Sequence, residues 1–285
     1  MGNREFTDDP ASIKYHVKKF LLNRKQELHG KTVIDFPAGN GITSRILREN
    51  GAIPLPFDLF PELFRVDGVN CLRADISHGL PVEDQFADAL ICQEGMEHFP
   101  DQYGAFREFN RVLKPGGMLL VTTPSYSHIR SRLSYLLMES ERYNRHMPPN
   151  ELDSIWMTGS PGSEELYFGH VFLTGIQKLR LLAKLAGFRI RKVHFAHMKF
   201  SSLVFFPFLY PLIVLSNAIA YRKNLRRHSG NDRIRAKEIY REVFTLGIRP
   251  AILLDGMLMV EFIREGSCAE VRARLRGRDQ EFTIT

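Results

Sequence analysis

The stretch Gln93-Glu94-Gly95-Met96-Glu97-His98 brings two carboxylates and an imidazole close together in the sequence. If it forms one helical turn, Glu97 and His98 follow Glu94 by three and four positions, so all three side chains share one face. Converging carboxylate and imidazole groups can hold a hard or borderline divalent cation. An imidazole can also remove a proton from an acceptor. Glu94 and His98 are therefore the catalytic candidates.

A glycine loop precedes this stretch and provides a second candidate site. Lys31 to Phe36 reads as a short buried strand, Gly39 and Gly41 fall in the following turn, and apolar residues recur at helical spacing from Ile42. Strand, glycine loop and helix form the unit that cradles phosphates or nucleotides in doubly wound α/β folds. The third glycine of the NAD-type fingerprint is missing after Gly41.

Further strands and turns follow at regular spacing. The pattern predicts a second strand (Ala52–Phe57) that ends at Asp58, a third (Asn70–Ala74) that ends at Asp75-Ile76, a polar turn from Leu80 into a fourth strand that ends near Cys92, a helix capped by Asp101, the breaker Lys114-Pro115-Gly116-Gly117, and a fifth strand (Met118–Thr123).

These landmarks resemble those of class I S-adenosylmethionine (SAM) methyltransferases over roughly residues 30–195. The family's first motif is acid-x-Gly-x-Gly-x-Gly, and here Pro37 stands in place of the first glycine. The resemblance implies an α/β fold with a Rossmann-like seven-stranded sheet and helices on both faces. It also implies SAM as the cofactor, with Asp58 on the ribose and Asp75 and Ile76 at the adenine. The implied cofactor-binding residues are Asp35, Phe36, Ala38, Gly39, Asn40, Gly41, Asp58, Asp75, Ile76 and Gln93.

The E-x-x-E-H pattern resembles two branches of this family, the ubiquinone-pathway O-methyltransferases and the small-RNA terminal 2′-O-methyltransferases. In the RNA branch these positions and a later histidine before F-x-T hold a metal, which nominates His170. The resemblance thus implies a Mg²⁺ or Mn²⁺ site at Glu94, Glu97, His98 and His170. Other members carry the motif without a metal, where the histidine caps the helix or acts as a base, so both interpretations stay open.

The whole chain, residues 1–285, is expected to form one methyltransferase domain. An amphipathic helix over 12–28 leads into the first strand, and a helix over 176–186 precedes a sixth strand over 188–195. Residues 256–263 resemble the family's seventh strand, which is antiparallel. Two segments exceed the minimal fold: 125–169, expected to act as a lid or substrate loop, and 198–250, a hydrophobic and basic helical insertion between strands six and seven.

The run Phe200–Tyr221 is 22 residues long, has no formal charge, and is a membrane-span candidate by length and composition. If the seventh strand joins the sheet, the run cannot cross a membrane once, so it re-enters, lies in the interface, or packs against protein. Residues 222–249 carry nine Lys or Arg against three acids. A basic segment beside an apolar one indicates an anionic lipid surface, with peripheral membrane contact through 200–227.

Composition indicates the class of protein and its compartment. The chain is ordinary globular material, with 44% hydrophobic and 25% charged residues and a formal net charge of +7. Three cysteines without metal spacing favour a reducing compartment, and residues 1–10 lack the apolar region of a signal peptide. We therefore expect a cytoplasmic protein, peripheral at the inner membrane face.

The expected function is a SAM-dependent O-methyltransferase acting at the cytosolic membrane face on a small-molecule, lipid-linked, glycan or phenolic acceptor. The alternatives are a nucleic-acid 2′-O-methyltransferase and a non-catalytic SAM-binding scaffold. A nucleic-acid partner is not favoured, because no RNA-binding module is visible and the positive charge accompanies an apolar run. The sequence gives no indication of oligomeric state.

Overall fold

The centre of the molecule is a seven-stranded sheet with strand order β3-β2-β1-β4-β5-β9-β8, in which β9 alone runs antiparallel to its neighbours. The computed structural model describes residues 7–141, 148–158 and 166–282. The strands are β1 (Thr32–Asp35), β2 (Ile53–Asp58), β3 (Leu72–Arg73), β4 (Ala87–Gln93), β5 (Leu113–Pro124), β6 (Ile155–Thr158), β7 (Leu166–Phe168), β8 (Phe188–His194) and β9 (Met257–Arg264). The predicted seven-stranded sheet and its antiparallel last strand are confirmed.

Helices flank the sheet on both faces. They are α1 (Ile13–Asn23), α2 (Lys25–Leu28), α3 (Ile42–Glu49), α4 (Gln102–Val112), α5 (Ile129–Met138), α6 (Glu151–Ser154), α7 (Ile176–Leu185), α8 (Phe200–Leu225), α9 (Gly230–Ile248), α10 (Pro250–Leu254) and α11 (Cys268–Phe282). The side chain of Ser12 accepts a hydrogen bond from the Lys14 amide, and that of Asp101 accepts one from the Gly104 amide. Both are N-caps that satisfy otherwise unpaired amides.

Two hydrophobic cores lie on opposite faces of the sheet because successive strand residues point to opposite sides. One core contains Ile34 of β1 together with Phe106 and Phe109 of α4 and Leu179 of α7. The other contains Val33 of β1 and residues of α1 and α3, namely Val17, Phe20, Leu21, Ile46 and Leu47. Burial on both faces explains why the parallel strands read as continuous apolar runs.

The parallel pairing of β1 with β2 and β4 brings three strand ends to one edge of the sheet. Asp35 at the end of β1 is in register with Pro56 of β2 and Ile91 of β4. The residues that follow these strands therefore lie side by side. Ligands bind at this carboxyl edge in open α/β sheets.

The predicted lid segment begins with α5 and continues into α6 and a two-stranded hairpin of β6 and β7. This hairpin stands apart from the main sheet. Residues 142–147 and 159–165 of the predicted segment lie outside the described residues.

The insertion between β8 and β9 is a helical excursion formed by α8, α9 and α10, and α8 packs against both other helices. Helix α8 runs from Phe200 to Leu225 through Pro207 and Pro211, although the prolines predict a bend or break there. Both prolines are exposed, so the carbonyl groups that lose a donor lie on the outward side. By length and composition α8 is the one helix in the described ranges that could cross a membrane, with a mean hydropathy of 2.0.

A buried carboxylate ties β9 to the N-terminal helices. Both oxygens of Glu261 lie 2.8 Å from Nη2 of Arg24, and Arg191 and His194 approach it at 3.2 Å. We expect Glu261→Gln to lower the free energy of unfolding by about 3 kcal/mol, because the mostly buried Arg24 then keeps only the exposed Glu27 as a counter-ion. The check is urea denaturation. Glu265→Gln, which breaks an exposed pair with Arg189, is the control and should cost less than about 1 kcal/mol. Equal effects would contradict the assigned role.

Candidate active site

The glycine loop after β1 forms one wall of a cavity of about 1940 Å³. Gly39 and Gly41 both have positive φ, +52° and +86°, which glycine adopts without steric cost. A Cβ added at Gly39 would meet nothing within 4 Å, whereas one at Gly41 would lie 2.5 Å from Val66. The backbone at Gly39 is therefore open to the cavity, while Gly41 is packed from behind.

Asp58 at the end of β2 closes the loop from the side. Its Oδ2 accepts a hydrogen bond from the Gly39 amide at 2.7 Å, and its Oδ1 accepts one from the Phe60 amide at 2.8 Å. The carboxylate is buried yet lines the cavity. Each oxygen has a second lone pair, so the group can accept two hydroxyl hydrogen bonds in addition.

Asp35 lies beneath the loop. Its Oδ2 accepts a hydrogen bond from the Ser44 hydroxyl at 2.6 Å, and it is not among the cavity-lining residues. Burial raises the pKa of Asp35 to about 7, although the bond from Ser44 opposes the shift. Asp35 thus supports the start of α3 rather than facing the cavity.

The other expected cofactor residues surround the same space. Phe36, Ala38, Asn40, Asp75, Ile76 and Gln93 all line the cavity. Oε1 of Gln93 accepts a hydrogen bond from the Thr43 hydroxyl, which links the end of β4 to α3. Asp75 is half-exposed, and its Oδ1 accepts from the Ser77 amide. Parallel pairing places these residues from four separate segments around one cavity.

The turn after β4 differs from the single helical turn expected over 93–98. Only Met96–His98 form a short 3₁₀ turn, and Glu94 lies before it with φ of 51°. The Glu94 amide donates to the Thr122 carbonyl of β5, which extends strand-like pairing to that residue. Glu94 lines the cavity but does not share a helical face with Glu97 and His98.

Glu97, His98 and His170 converge. One potential ligand atom from each lies within 4.8 Å of the others, and the two imidazole rings are 5.2 Å apart. Nδ1 of His98 lies 2.8 Å from the Phe168 carbonyl in β7. A carbonyl only accepts, so Nδ1 carries a proton, and in the neutral ring Nε2 then carries the lone pair. Metal-binding histidines are oriented by the same kind of contact.

Glu97 is fully buried, which is unusual for a carboxylate. Its Oε2 accepts a hydrogen bond from the Thr123 hydroxyl at 2.9 Å, whereas Oε1 has no hydrogen-bond partner among the described residues. Burial raises the pKa of Glu97 to about 8, and the charge of Glu94 adds to the shift. A buried polar atom without a partner is costly, so Oε1 fits a role as ligand or proton carrier.

Aromatic side chains that the sequence did not single out lie beside this cluster. Phe60 packs edge-on against Trp156 at 5.5 Å and against Tyr167 at 5.0 Å, and Trp156 lies 6.5 Å from the ring of His98. All three aromatic residues line the cavity. Strands β6 and β7 supply two of them, so the hairpin gives the cavity flat apolar surfaces next to His98.

Comparison with protein families decides the assignment. A family model described as "Methyltransferase domain" matches residues 12–193, more than half of the chain. The chain belongs to this methyltransferase family. Together with the seven-stranded fold, the match makes it a class I SAM-dependent methyltransferase.

Curated relatives agree with this assignment over part of their length. A ubiquinone biosynthesis O-methyltransferase of Xanthomonas oryzae is 33% identical over 136 residues, which cover 43% of this chain and 57% of that protein. The protein of the same name from Xylella fastidiosa is 33% identical over 116 residues, 38% of this chain and 47% of the relative. The chain therefore spans about half the length of the curated relatives it matches.

Solved structures support the fold. A SAM-dependent methyltransferase of Mesorhizobium loti superposes with a TM-score of 0.50 at 15% identity and covers 91% of this chain and 100% of that one. A structure from Listeria monocytogenes, also described as a SAM-dependent methyltransferase, gives 0.50 at 13% identity, with coverages of 89% and 99%. At such identities the likeness shows the common architecture alone.

The cavity fits the cofactor of this methyltransferase family. The open face of Gly39 gives a ligand access to backbone, and Asp58 offers carboxylate lone pairs to a diol. Pro37, which departs from the family's glycine, packs its ring on Gly95 and lines the cavity as well. Its missing N–H therefore removes a donor without closing the space.

We expect Asp58→Ala to weaken SAM binding about ten- to hundredfold, because charge-assisted hydrogen bonds to a ligand contribute roughly 1.5–3 kcal/mol. Isothermal titration calorimetry measures the change. Glu62→Ala removes an exposed acid from the short turn after β2 and is the matched control. If both variants bind SAM like the wild type, Asp58 has been assigned wrongly.

Proposed function

We propose that this methyltransferase transfers the methyl group of SAM to a hydroxyl oxygen of a ring-bearing, lipid-linked acceptor at the cytosolic membrane face. The observation that carries the proposal is the cluster of Glu97, His98 and His170, in which the two histidines line the same cavity as the glycine loop and Glu97 is buried beside them. Methyl transfer to oxygen requires alignment of the nucleophile and loss of its proton. The cluster supplies groups for the second requirement.

Oxygen is supported as the acceptor atom by the names of the curated relatives, which are O-methyltransferases. The flat faces of Phe60, Trp156 and Tyr167 support a ring, phenolic or sugar, beside His98. The lipid link rests on α8, which has no charged residue from Phe200 to Tyr221 and is basic in its last turn. An aromatic wall and an apolar helix fit an amphipathic acceptor better than a polynucleotide.

We further propose that Glu97, His98 and His170 hold a divalent cation, Mg²⁺ or Mn²⁺. The fit rests on the ligand-atom spacing and on the buried Glu97 Oε1 without a described partner. When bound, such a cation lowers the pKa of a coordinated hydroxyl and orients adjacent oxygens. Because the Phe168 carbonyl accepts from Nδ1 of His98, Nε2 of the neutral ring is left to accept either a cation or a proton.

Cation affinity should rise with pH up to about 8. The raised pKa means that Glu97 holds a proton at neutral pH, and this proton must leave before the carboxylate can ligate. Calorimetry with Mn²⁺ in buffers of different ionisation enthalpy should therefore detect release of about one proton per ion below pH 8 and less above it. Glu97→Gln should abolish both the affinity and the release. Binding unchanged in Glu97→Gln would contradict the site.

The reaction is tested with labelled SAM, the purified protein and a membrane lipid extract, followed by mass spectrometry of the labelled product. We expect a methylated, lipid-soluble ether.

His98→Gln and Glu97→Gln should lower kcat by about 10²- to 10⁴-fold with SAM affinity unchanged, and His16→Gln on α1 serves as the control. If activity is lost in His98→Gln but kept in Glu97→Gln, and chelators do not inhibit, then His98 acts alone as a base and the cation site is contradicted. Label in RNA, or in no acceptor, would overturn the proposal.

A further inference from the structure

The outward side of α8 is one continuous apolar stripe. Apart from the adjacent Leu203 and Val204, successive exposed large side chains are three or four residues apart, which is the repeat of one helix face. They are Phe200, Leu203, Val204, Phe208, Leu212, Leu215 and Ile219. Phe200 and Phe208 have exposed fractions of 76% and 74%, so these rings point away from the protein. A helix that served only as core would turn this side inward.

Basic residues extend the stripe at its C-terminal end. Arg222, Lys223, Arg226 and Arg227 are all exposed. The sequence has no Asp or Glu between Phe200 and Asn231, so the stripe has no acidic residue to match these cations. If two copies of the chain met through this stripe, the cations of each would face a surface without acidic residues. An anionic partner with an apolar layer beneath its charge is complementary to both the cations and the apolar side chains.

A second apolar element lies next to α8. The last residues of α5, Tyr135 to Met138, are all exposed, and Leu136 and Leu137 have exposed fractions of 77% and 76%. Helix α5 packs against α8. The two helices are joined where the Ser202 hydroxyl accepts from the Arg130 amide and pairs with Nδ1 of His128. The apolar end of α5 is therefore fixed relative to the stripe.

The path of the chain excludes a single crossing of a membrane by α8. The Lys199 amide donates to the Leu254 carbonyl at 2.9 Å, so the insertion leaves and returns at one place. Helix α9 packs back along α8, with Tyr221 and Phe244 5.9 Å apart. Seven of its nineteen residues are charged, from Asp232 to Glu242. Charged side chains are expensive in hydrocarbon, so α9 stays outside it.

We propose that the outer face of α8 and the end of α5 form a docking surface that lies in the plane of an anionic membrane leaflet. The apolar stripe enters the boundary between headgroups and acyl chains, and Arg222, Lys223, Arg226 and Arg227 contact anionic headgroups, as in interfacial helices. The inference deepens the proposed function, because it brings the enzyme to a lipid-linked acceptor. Docking itself requires neither SAM nor methyl transfer and is measured without them.

Co-sedimentation with vesicles tests the apolar part. The full-length protein should bind phosphatidylcholine vesicles that contain phosphatidylglycerol, and the double variant Phe208→Ser/Leu212→Ser should lose about a hundredfold in affinity. Leu181→Ser removes a comparably exposed leucine from α7 and should leave binding unchanged. The variant Leu136→Ser/Leu137→Ser tests α5 separately. Wild-type binding by every variant would overturn the proposal.

The charged part is tested by lipid composition and salt. Arg222→Gln/Lys223→Gln should reduce binding to the anionic vesicles on the order of tenfold, and raised salt should weaken the wild type similarly. Lys19→Gln, an exposed residue of α1, is the control. Equal binding to phosphatidylcholine alone would contradict an anionic partner.

The orientation can be read from a tryptophan scan, because the chain has a single tryptophan, Trp156. In a Trp156→Phe background, Val204→Trp, Phe208→Trp, Leu215→Trp and Ile219→Trp each place one reporter on the stripe. Brominated lipids should quench all four from the same shallow depth. Positions 204 and 219 lie about 22 Å apart along the helix, so a graded depth would overturn the in-plane arrangement.

Two outcomes separate this inference from the proposed function. If the protein binds SAM and methylates its acceptor but does not bind vesicles, the docking surface is overturned and the proposed function stands. A protein that binds vesicles but transfers no methyl group keeps the docking surface and contradicts the proposed function. If sedimentation shows a dimer that Phe208→Ser/Leu212→Ser dissociates, while vesicles are not bound, the surface is an interface between copies and the proposal fails.

Discussion

The contact between Pro37 and Gly95 holds the two halves of the active site together. A Cβ added at Gly95 would lie 2.5 Å from Cδ of Pro37, so the ring rests directly on the backbone of the turn after β4. This contact is possible because β1 and β4 pair in parallel and end at the same edge of the sheet. The glycine loop and the turn that carries Glu97 and His98 are therefore in direct contact.

The burial of Glu97 does not favour folding, and the proposed cation site would account for it. A carboxylate with one hydrogen-bonded oxygen and one without a described partner, in a site that raises its pKa to about 8, destabilises the folded state when it ionises. Replacement by an apolar side chain would cost the fold little. The neighbouring His98, oriented by a backbone carbonyl, and His170 are the residues with which Glu97 would hold the proposed cation.

The active site buries a carboxylate, whereas the insertion between β8 and β9 exposes apolar side chains to water. Helix α8 is apolar on all sides, so α9, α10 and α5 can cover its inner side while its outer side still presents Phe208 and Leu212. An exposed apolar helix side of this kind is typical of an interaction site. The same insertion leaves the sheet undisturbed, since β9 pairs normally with β5 and β8 after the excursion.

The sequence alone determined the strands, the order of the landmarks and the positions of Asp58 and the glycine loop, because these features are local or repeat at short periods. The resemblance to the methyltransferase family implied how the strands form one sheet. Only the tertiary structure decided that the Phe168 carbonyl orients His98, that Trp156 lies beside it, and that the Glu94 amide pairs with Thr122 outside the 3₁₀ turn. Such contacts join residues far apart in the chain, and a backbone carbonyl has no signature in the sequence.

The exposed side of α8 could not be predicted from the sequence for another reason. A helix that is apolar all round has no periodic signal, so packing alone half-buries Phe205 and Phe206 and exposes Phe208.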